Sequence, residues 1–397
     1  MRRAPGGRRL RVLERGPTLK ISHSWHQLSR APRSEQRGLQ NRLLARYVRE
    51  ELYACSAHYR RVFDDAGVDP RLIRGVDDLR RLPFTTRADL ASAQAHGPPF
   101  ELAPRPKAMR EHWGFFRKLA LVLGGRKARE ALRLGYAPAL VTEDRRRGQP
   151  TLELTLTRSD VDVLGEVGAR AVDLLGLEPD ARILAAALGP AGMAFWVSTL
   201  GAVRSGRCLR TTTSRPGELL DLLESWRPTV LLAPTPVARR AARSARATGR
   251  DLSFLETLVV NATGTSPQIM RSLCADLTAC GAHRTRVARA WTPAVARLAF
   301  VESPVVAGGA DGQGGGIHLW PDLCVVEVID PSSLEPVAEG QAGELVFTTL
   351  YGHGTAVLRY RTGCWAAGGV SWSPCPVSGR TLPRVLSELR PLADATP

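Results

Sequence analysis

The stretch between residues 159 and 280 constrains the fold most, because short apolar runs and helical patterns alternate there without a break. Ser159-Asp160 reads as the cap of a helix to Leu175, and apolar runs follow at residues 182–188, 208–212, 229–233 and 257–261. Residues 193–203, 216–226, 237–248 and 267–280 carry helical spacing between those runs. Runs this short, separated by helices, predict a largely parallel sheet covered on both faces. From Ile317 onward short strands dominate, at residues 324–329, 344–350 and 356–360. The expected fold class is α/β: a helix-flanked, mostly parallel sheet plus a smaller β-rich part. No internal repeat interrupts it.

Four segments follow from this pattern. Residues 1–40 read as a basic, disordered arm. Residues 41–150 form an N-terminal helical segment, in which Leu43, Leu44, Tyr47, Val48, Leu52, Tyr59, Val62 and Phe63 recur at helical spacing. A second, basic helical patch lies around residues 115–134. The α/β core takes residues 151–316, and the β-rich part residues 317–397. The uncharged run 183–203 is long enough to be tested as a membrane span. Gly189-Pro190, Gly192 and Gly201 break it into a buried strand, a turn and a packed helix, so no membrane partner is expected. Seven cysteines at 55, 208, 274, 280, 324, 364 and 375 are scattered, with no repeated CxxC and no secretory leader. A reduced, cytoplasmic protein is the expectation.

The formal net charge of +17 suggests a nucleic-acid partner, but the make-up of that charge argues against one. Of the 55 basic residues only Lys20, Lys107, Lys118 and Lys127 are lysines, and an Arg bias spread along the whole chain needs no acidic partner. The basic arm is the exception. Its Arg2, Arg3, Arg8, Arg9, Arg11 and Arg15 face few acids, and such a segment can attract a polyanion by counterion release.

A second signal comes from residues 343–364, Gly-Glu-Leu-Val-Phe-Thr-Thr-Leu-Tyr-Gly-His-Gly-Thr-Ala-Val-Leu-Arg-Tyr-Arg-Thr-Gly-Cys. They read as two strands joined by a Gly/His turn, with Arg359-Tyr360-Arg361-Thr362-Gly363 closing the second. This segment resembles the adenylate-forming superfamily, and most closely its phenylacetate–CoA ligase branch, which carries "GELVvTtL…plLRYRTGD" here. The resemblance covers roughly residues 44–384. It extends to Val76-Asp-Asp-Leu79 and Leu82-Pro-Phe-Thr-Thr-Arg87, with Arg87 where the family has Lys, and to Gly379-Arg-Thr-Leu-Pro-Arg384. It implies ATP-dependent activation of an aromatic or acyl carboxylate as an acyl-adenylate, then transfer to CoA. ATP, Mg and CoA are thus cofactors by resemblance only. A small carboxylate or acyl-adenylate is the implied ligand.

Set against the family's motifs, the chemical stations are altered. The family's phosphate-cradling "SSGTTGkPT" corresponds to residues 142–151, where Gly148, Pro150 and Thr151 remain and Glu143, Asp144 and Arg145 intrude. A cradle needs small residues so that backbone N–H groups reach phosphate. The "YGxTE" station corresponds to Ala290-Trp291-Thr292-Pro293-Ala294, and the preceding turn to Asn261-Ala-Thr-Gly264. Cys364 stands where the family's Asp holds the ribose. The resemblance also implies a C-terminal lid carrying a catalytic Lys, expected to be missing here and to come, if at all, from a partner protein. Some relatives hold a metal near this end. His318 and Cys375 match that site but Ser303 and Ser378 replace Cys, so no metal is expected. The pocket candidates are Gly148, Thr151, Gly264, Trp291, Thr292, Arg359, Tyr360, Arg361 and Cys364, and no residue is assigned a catalytic role. The function expected is a ligase-like protein with impaired adenylation, with a non-catalytic binding or scaffold protein of a biosynthetic pathway as the alternative.

Overall fold

The structure, a computed structural model, describes residues 25–94, 102, 106–146, 148–189, 192–307 and 314–394. Its centre is a ten-stranded sheet. Strands Gly206–Thr211, Ala181–Ala186, Val230–Leu232, Thr257–Asn261 and Arg286–Trp291 lie side by side and parallel in that order. Phe300–Glu302, Ile317–His318, Arg384–Val385 and Val370–Ser371 continue the sheet antiparallel. Because side chains alternate along a strand, Leu184, Leu231, Leu258 and Val260 point to one face. There they meet helices Pro216–Trp226, Thr235–Thr248 and Pro267–Ala279 through Leu219, Leu223, Ala241, Leu273 and Leu277. Ile183, Val230, Val259 and Ala288 point to the other face, beneath helices Arg158–Leu175 and Met193–Ser205. A four-stranded antiparallel sheet, Cys324–Ile329, Gly343–Thr349, Tyr360–Ala366 and Leu389–Pro391, forms the smaller β-rich part. The α/β class and its two-faced parallel sheet are as the sequence predicted. No described helix is long and apolar enough to cross a membrane.

Several local expectations are corrected. Residues 1–24 of the arm lie outside the described residues, but residues 25–40 are ordered into helices Trp25–Leu28 and Arg33–Tyr47. Buried Leu28, Leu39 and Gln36 anchor them, the Gln36 amide donating to the Ala31 carbonyl at 2.9 Å and the Thr381 carbonyl at 3.2 Å. Few but well-placed apolar groups outweigh the arm's charge. The helical spacing of Leu43 to Phe63 is realised in pieces: a π-helical turn, Val48–Leu52, interrupts it, and a new helix, Ala57–Asp65, starts at its cap Ser56. The expected helical segment 41–150 ends in a strand, Pro138–Asp144, paired antiparallel with Leu152–Thr157. The second motif strand does not cover 356–360. It begins at Tyr360 and runs to Ala366. Ala356 and Leu358 are buried by a loop instead, in which Tyr59 Oη donates to the Ala356 carbonyl at 2.8 Å and Leu358 N–H donates to that same Oη at 3.2 Å.

That loop is fixed by Asp160. Helix Arg158–Leu175 is capped by Thr157, not Ser159, with Asp160 as its third residue accepting from Thr157 N–H at 2.8 Å. The same carboxylate accepts from the backbone N–H of His353 at 3.2 Å and Gly354 at 2.9 Å, and lies 2.9 Å from Arg297 Nη1. A Cβ at Gly352 would stand 2.0 Å from Asp160 Oδ1, and one at Gly354 would stand 2.1 Å from the Thr155 carbonyl. The Tyr-Gly-His-Gly sequence is therefore demanded by the approach of this backbone to a carboxylate. Both charged side chains are fully buried. Burial alone would raise the Asp160 pKa, but Arg297 and the backbone donors outweigh it and hold it below the usual carboxylate value.

Asp160→Asn leaves a buried guanidinium without its charge partner, and we expect a loss of about 3–5 kcal/mol in denaturant unfolding. Because the folded-state pKa is depressed, this stability is present above the unfolded carboxylate value and is lost as pH falls through the folded one. Denaturation curves across the acid range should show that limb in the wild type and a weaker one in the Asn variant.

Candidate functional site

Two cavities open at the C-terminal ends of strands Thr257–Asn261 and Arg286–Trp291, where ligands of open α/β sheets bind. The larger, about 470 Å³, lies between helices Arg158–Leu175 and Met193–Ser205 and the sheet face below them. Ala171, Leu175, Ile183, Val197, Val230 and Val259 make its walls apolar, and its charged residues, Glu143, Asp144 and Arg145, all come from one hairpin. The two helices cross at Gly168 and Gly201, where a Cβ on Gly168 would meet the Gly201 Cα at 2.5 Å. The smaller cavity, about 360 Å³, is lined by Thr263, Trp291, Tyr360, Thr362, Cys364 and Pro391 among others. Asp144, Asn261, Ala290, Thr292 and Ala294 line both cavities, so the two share a wall.

The hairpin Pro138–Asp144/Leu152–Thr157 brings the charge to that wall. Arg87 Nη1 donates to Asp144 Oδ2 at 2.5 Å and holds the Pro150 carbonyl at 2.7 Å through Nη2. Arg146 lies 3.4 Å from the same carboxylate and donates to the Thr362 carbonyl at 3.1 Å. Asp144 is thus neutralised from two sides. Tyr360 is buried and its hydroxyl has no hydrogen-bond partner among the described residues, while it borders the polar cavity. Burial pushes the Cys364 thiol up to about 12, so it stays neutral and is a poor acceptor.

Four of the nine residues singled out in the sequence, Trp291, Thr292, Tyr360 and Cys364, line the smaller cavity. Trp291 does so as part of the core, its ring stacked on Phe300 at 5.4 Å. Gly148 and Thr151 are exposed at the hairpin's turn and border neither cavity. Gly264, also exposed, bonds its N–H to the Leu389 carbonyl at 2.9 Å. Arg359 is structural: it pairs with Glu327 at 3.1 Å and donates to the Leu82 carbonyl at 2.7 Å. Arg361 pairs with buried Glu344 at 2.6 Å. Asp144, Arg146, Asn261, Thr263 and Thr362 enter the site without having been singled out. For Asp144 and Arg146 the available signal was Arg87, a third charge on the resembling N-terminal segment.

A second cluster joins residues far apart in sequence. Cys375 Sγ lies 3.6 Å from Ser303 Oγ, which bonds Ser378 Oγ at 3.1 Å, and His318 packs against the sulfur. His318 is fully buried, with Nδ1 3.3 Å from the Val301 carbonyl. Burial pushes the Cys375 thiol up, but its polar surroundings, His318, Ser378 and Ser303, outweigh it and bring the pKa down to about 5. One imidazole, one thiolate and two hydroxyls do not supply the four nitrogen and sulfur ligands of a closed zinc site. Among the described residues no three His, Cys, Asp or Glu side chains are grouped to hold a metal ion. The polar cavity likewise fits magnesium poorly, since Asp144 is its one carboxylate and is already paired with Arg87.

No protein-family model matches the chain. It is similar to phenylacetate–coenzyme A ligases: 29% identical to that of Thermus thermophilus over 345 residues, covering 85% of this chain and 66% of the relative. It is 27% identical to that of Aromatoleum evansii, covering 84% of this chain and 67% of the relative. Identity to the Escherichia coli enzyme is 26%, over 77% of this chain and 61% of the relative. The chain thus spans about two thirds of the length of these relatives. In structure it resembles 2-hydroxyisobutyryl-CoA ligase in complex with 2-HIB-AMP and CoA, with TM-score 0.72, 20% identity, and coverage of 92% of this chain and 71% of that one. The postadenylation state of the same enzyme gives TM-score 0.72 at 19% identity, covering 93% and 70%. The fold is that of adenylate-forming CoA ligases, and the sequence is phenylacetate–CoA ligase-like.

The Cys375 cluster yields a direct measurement. Ultraviolet thiolate absorbance should reveal one cysteine titrating near 5, and His318→Ala should move it upward toward the ordinary value of about 8.5. Absence of any thiolate signal at neutral pH would show that the His318 contact does not ionise the sulfur.

Proposed function

We propose that this chain binds an apolar carboxylic acid in its larger cavity, as a protein of the acyl-CoA ligase lineage whose adenylation step is impaired. One observation carries the reading: the apolar cavity is open and shares Asn261 and Thr292 with the polar one, while the polar one lacks a free carboxylate. An acid seated by its apolar end would present its carboxylate to the shared wall, the geometry that attack on a nucleotide phosphate requires. Tyr360, Thr362, Thr263 and Asn261 line that cavity with hydroxyl and amide groups suited to a nucleotide. ATP, when bound, would supply the α-phosphate to which the acid is joined, the bond to the β-phosphate breaking and pyrophosphate leaving.

The residues that should stabilise that step are altered. Cys364 offers a neutral thiol to the ribose end, and the hairpin turn holds Arg146 across the cavity where small residues would cradle phosphate. Removing a single charge-stabilising donor costs about a hundred- to thousand-fold in rate. CoA transfer, and a separate protein supplying a lid, belong to this proposal only through the likeness to longer relatives. A second reading, a non-catalytic binding protein, is favoured by the same apolar cavity, whose titratable groups are confined to the hairpin at its edge. Calorimetry with an apolar acid in the absence of nucleotide separates them: the non-catalytic reading requires tight binding of acid alone.

With ATP, magnesium and phenylacetate or benzoate, carboxylate-dependent pyrophosphate exchange should stay near that of a heat-killed control. Robust exchange would overturn the impaired reading. Cys364→Asp should tighten ATP binding by less than about tenfold, because one restored acceptor contributes its full 1.5–3 kcal/mol only in a site that is otherwise formed. Tenfold or tighter binding at an unchanged melting temperature would mean that the nucleotide site is intact.

A further inference from the structure

The helices Phe115–Leu123 and Gly125–Tyr136 are assembled inside out. Two of their polar groups, Arg117 and Tyr136, point inward. Arg117 Nη1 lies 2.7 Å from Oε1 of buried Glu51, with its guanidinium 3.7 Å over the Trp113 ring, and Tyr136 Oη donates to Glu51 Oε2 at 2.6 Å. Leu121 and Leu132 pack on the core, and these contacts fix the hairpin's orientation. The remaining apolar groups point outward. Phe115, Phe116, Val122 and Leu123 are 70%, 82%, 73% and 77% exposed, the four most exposed large apolar side chains among the described residues. With Leu119 they follow i, i+4, i+7 spacing, so they form one ridge along the helix. Helix Phe115–Leu123 buries no residue at all. Exposure this high describes a protrusion, not the lining of a pocket.

Charge decides what the ridge meets. Lys107, Arg110, Arg126, Lys127, Arg129 and Arg133 are exposed on or beside the hairpin, and Lys118 is half-buried. Glu111 and Glu130 are the acids among residues 106–136. Three of the chain's four lysines, Lys107, Lys118 and Lys127, fall in this segment, which sets it apart from the arginine-dominated remainder. Arg126, Lys127, Arg129 and Arg133 make no ion pair among the described residues. We propose that this hairpin is an interfacial anchor that inserts its aromatic and aliphatic ridge into an anionic lipid surface, with the flanking Lys and Arg on the headgroups. The sequence-based expectation of no membrane partner rested on the lack of a spanning segment, which does not bear on a surface helix. The proposal is independent of whether the chain adenylates anything.

Flotation of the full chain with vesicles tests it. Vesicles of phosphatidylcholine with one third phosphatidylglycerol should carry the protein upward, while pure phosphatidylcholine should not, and added salt should weaken the binding. Phe115→Ser with Phe116→Ser should reduce bound protein at least about tenfold, since both rings lose apolar burial. Arg126→Glu with Lys127→Glu should reduce it at least about twentyfold at low salt, each basic group near an anionic surface contributing about a fivefold factor. All four positions are exposed, so melting temperatures should not move. No flotation, equal flotation with pure phosphatidylcholine, or flotation unaffected by the Phe changes would each overturn the proposal. So would self-association that the Phe changes abolish in a protein that never floats, since the ridge would then serve a second copy of this chain.

Discussion

A single buried carboxylate ties the layers of this molecule together. Asp160 starts helix Arg158–Leu175, balances Arg297, and receives the backbone N–H groups of His353 and Gly354 from the β-rich part. A buried charge is tolerated only when its lone pairs are filled, and a pair such as this is costly to break from either side. Three segments distant in sequence therefore have one geometry that satisfies it. Helix Arg158–Leu175 is also a wall of the apolar cavity, and the segment leading to Arg297 leaves the strand that ends at the shared wall. The shape of the larger cavity thus depends on an ion pair that lines neither cavity.

The same economy of charge recurs elsewhere. Arg87 with Asp144 and Arg170 with Asp322 join elements far apart in sequence, while Arg289 with Glu302 and Arg361 with Glu344 each tie neighbouring strands of one sheet. Arg170 and Asp322, both almost fully buried, make two parallel bonds at 2.8 and 2.7 Å, the fork-to-fork geometry that arginine permits and lysine does not. Part of the chain's arginine content is thereby structural mortar between layers, and a high net charge says little about an acidic partner.

The parallel sheet was legible because its evidence is local: a short apolar run and its flanking helix announce themselves within a dozen residues. The cavities were legible only in part. Thr292, Tyr360 and Cys364 could be placed through motif resemblance, whereas Asp144 read only as an intruder in the cradle and Arg146 was not singled out. What buries their role is Arg87, 57 residues from Asp144 and visible as a partner only in three dimensions. The error at residues 356–360 has the same origin. Ala356 and Leu358 are apolar because Tyr59 and the loop around it enclose them, and burial of that kind cannot be distinguished from strand pairing by composition. His318 and Cys375 converge because strands Ile317–His318 and Arg384–Val385 pair and draw the segment before Arg384 alongside. The resemblance had grouped them, but no spacing rule encodes that pairing.

The wall shared by the two cavities has a thermodynamic meaning that does not depend on whether any bond is made there. Asn261 and Thr292 each have one side chain to offer two neighbouring ligands, so the conformation that suits the first guest sets the terms for the second. Linkage makes that influence reciprocal: the factor by which an acid alters the affinity for a nucleotide equals the factor by which the nucleotide alters the affinity for the acid. A chain that had lost catalysis would keep this property.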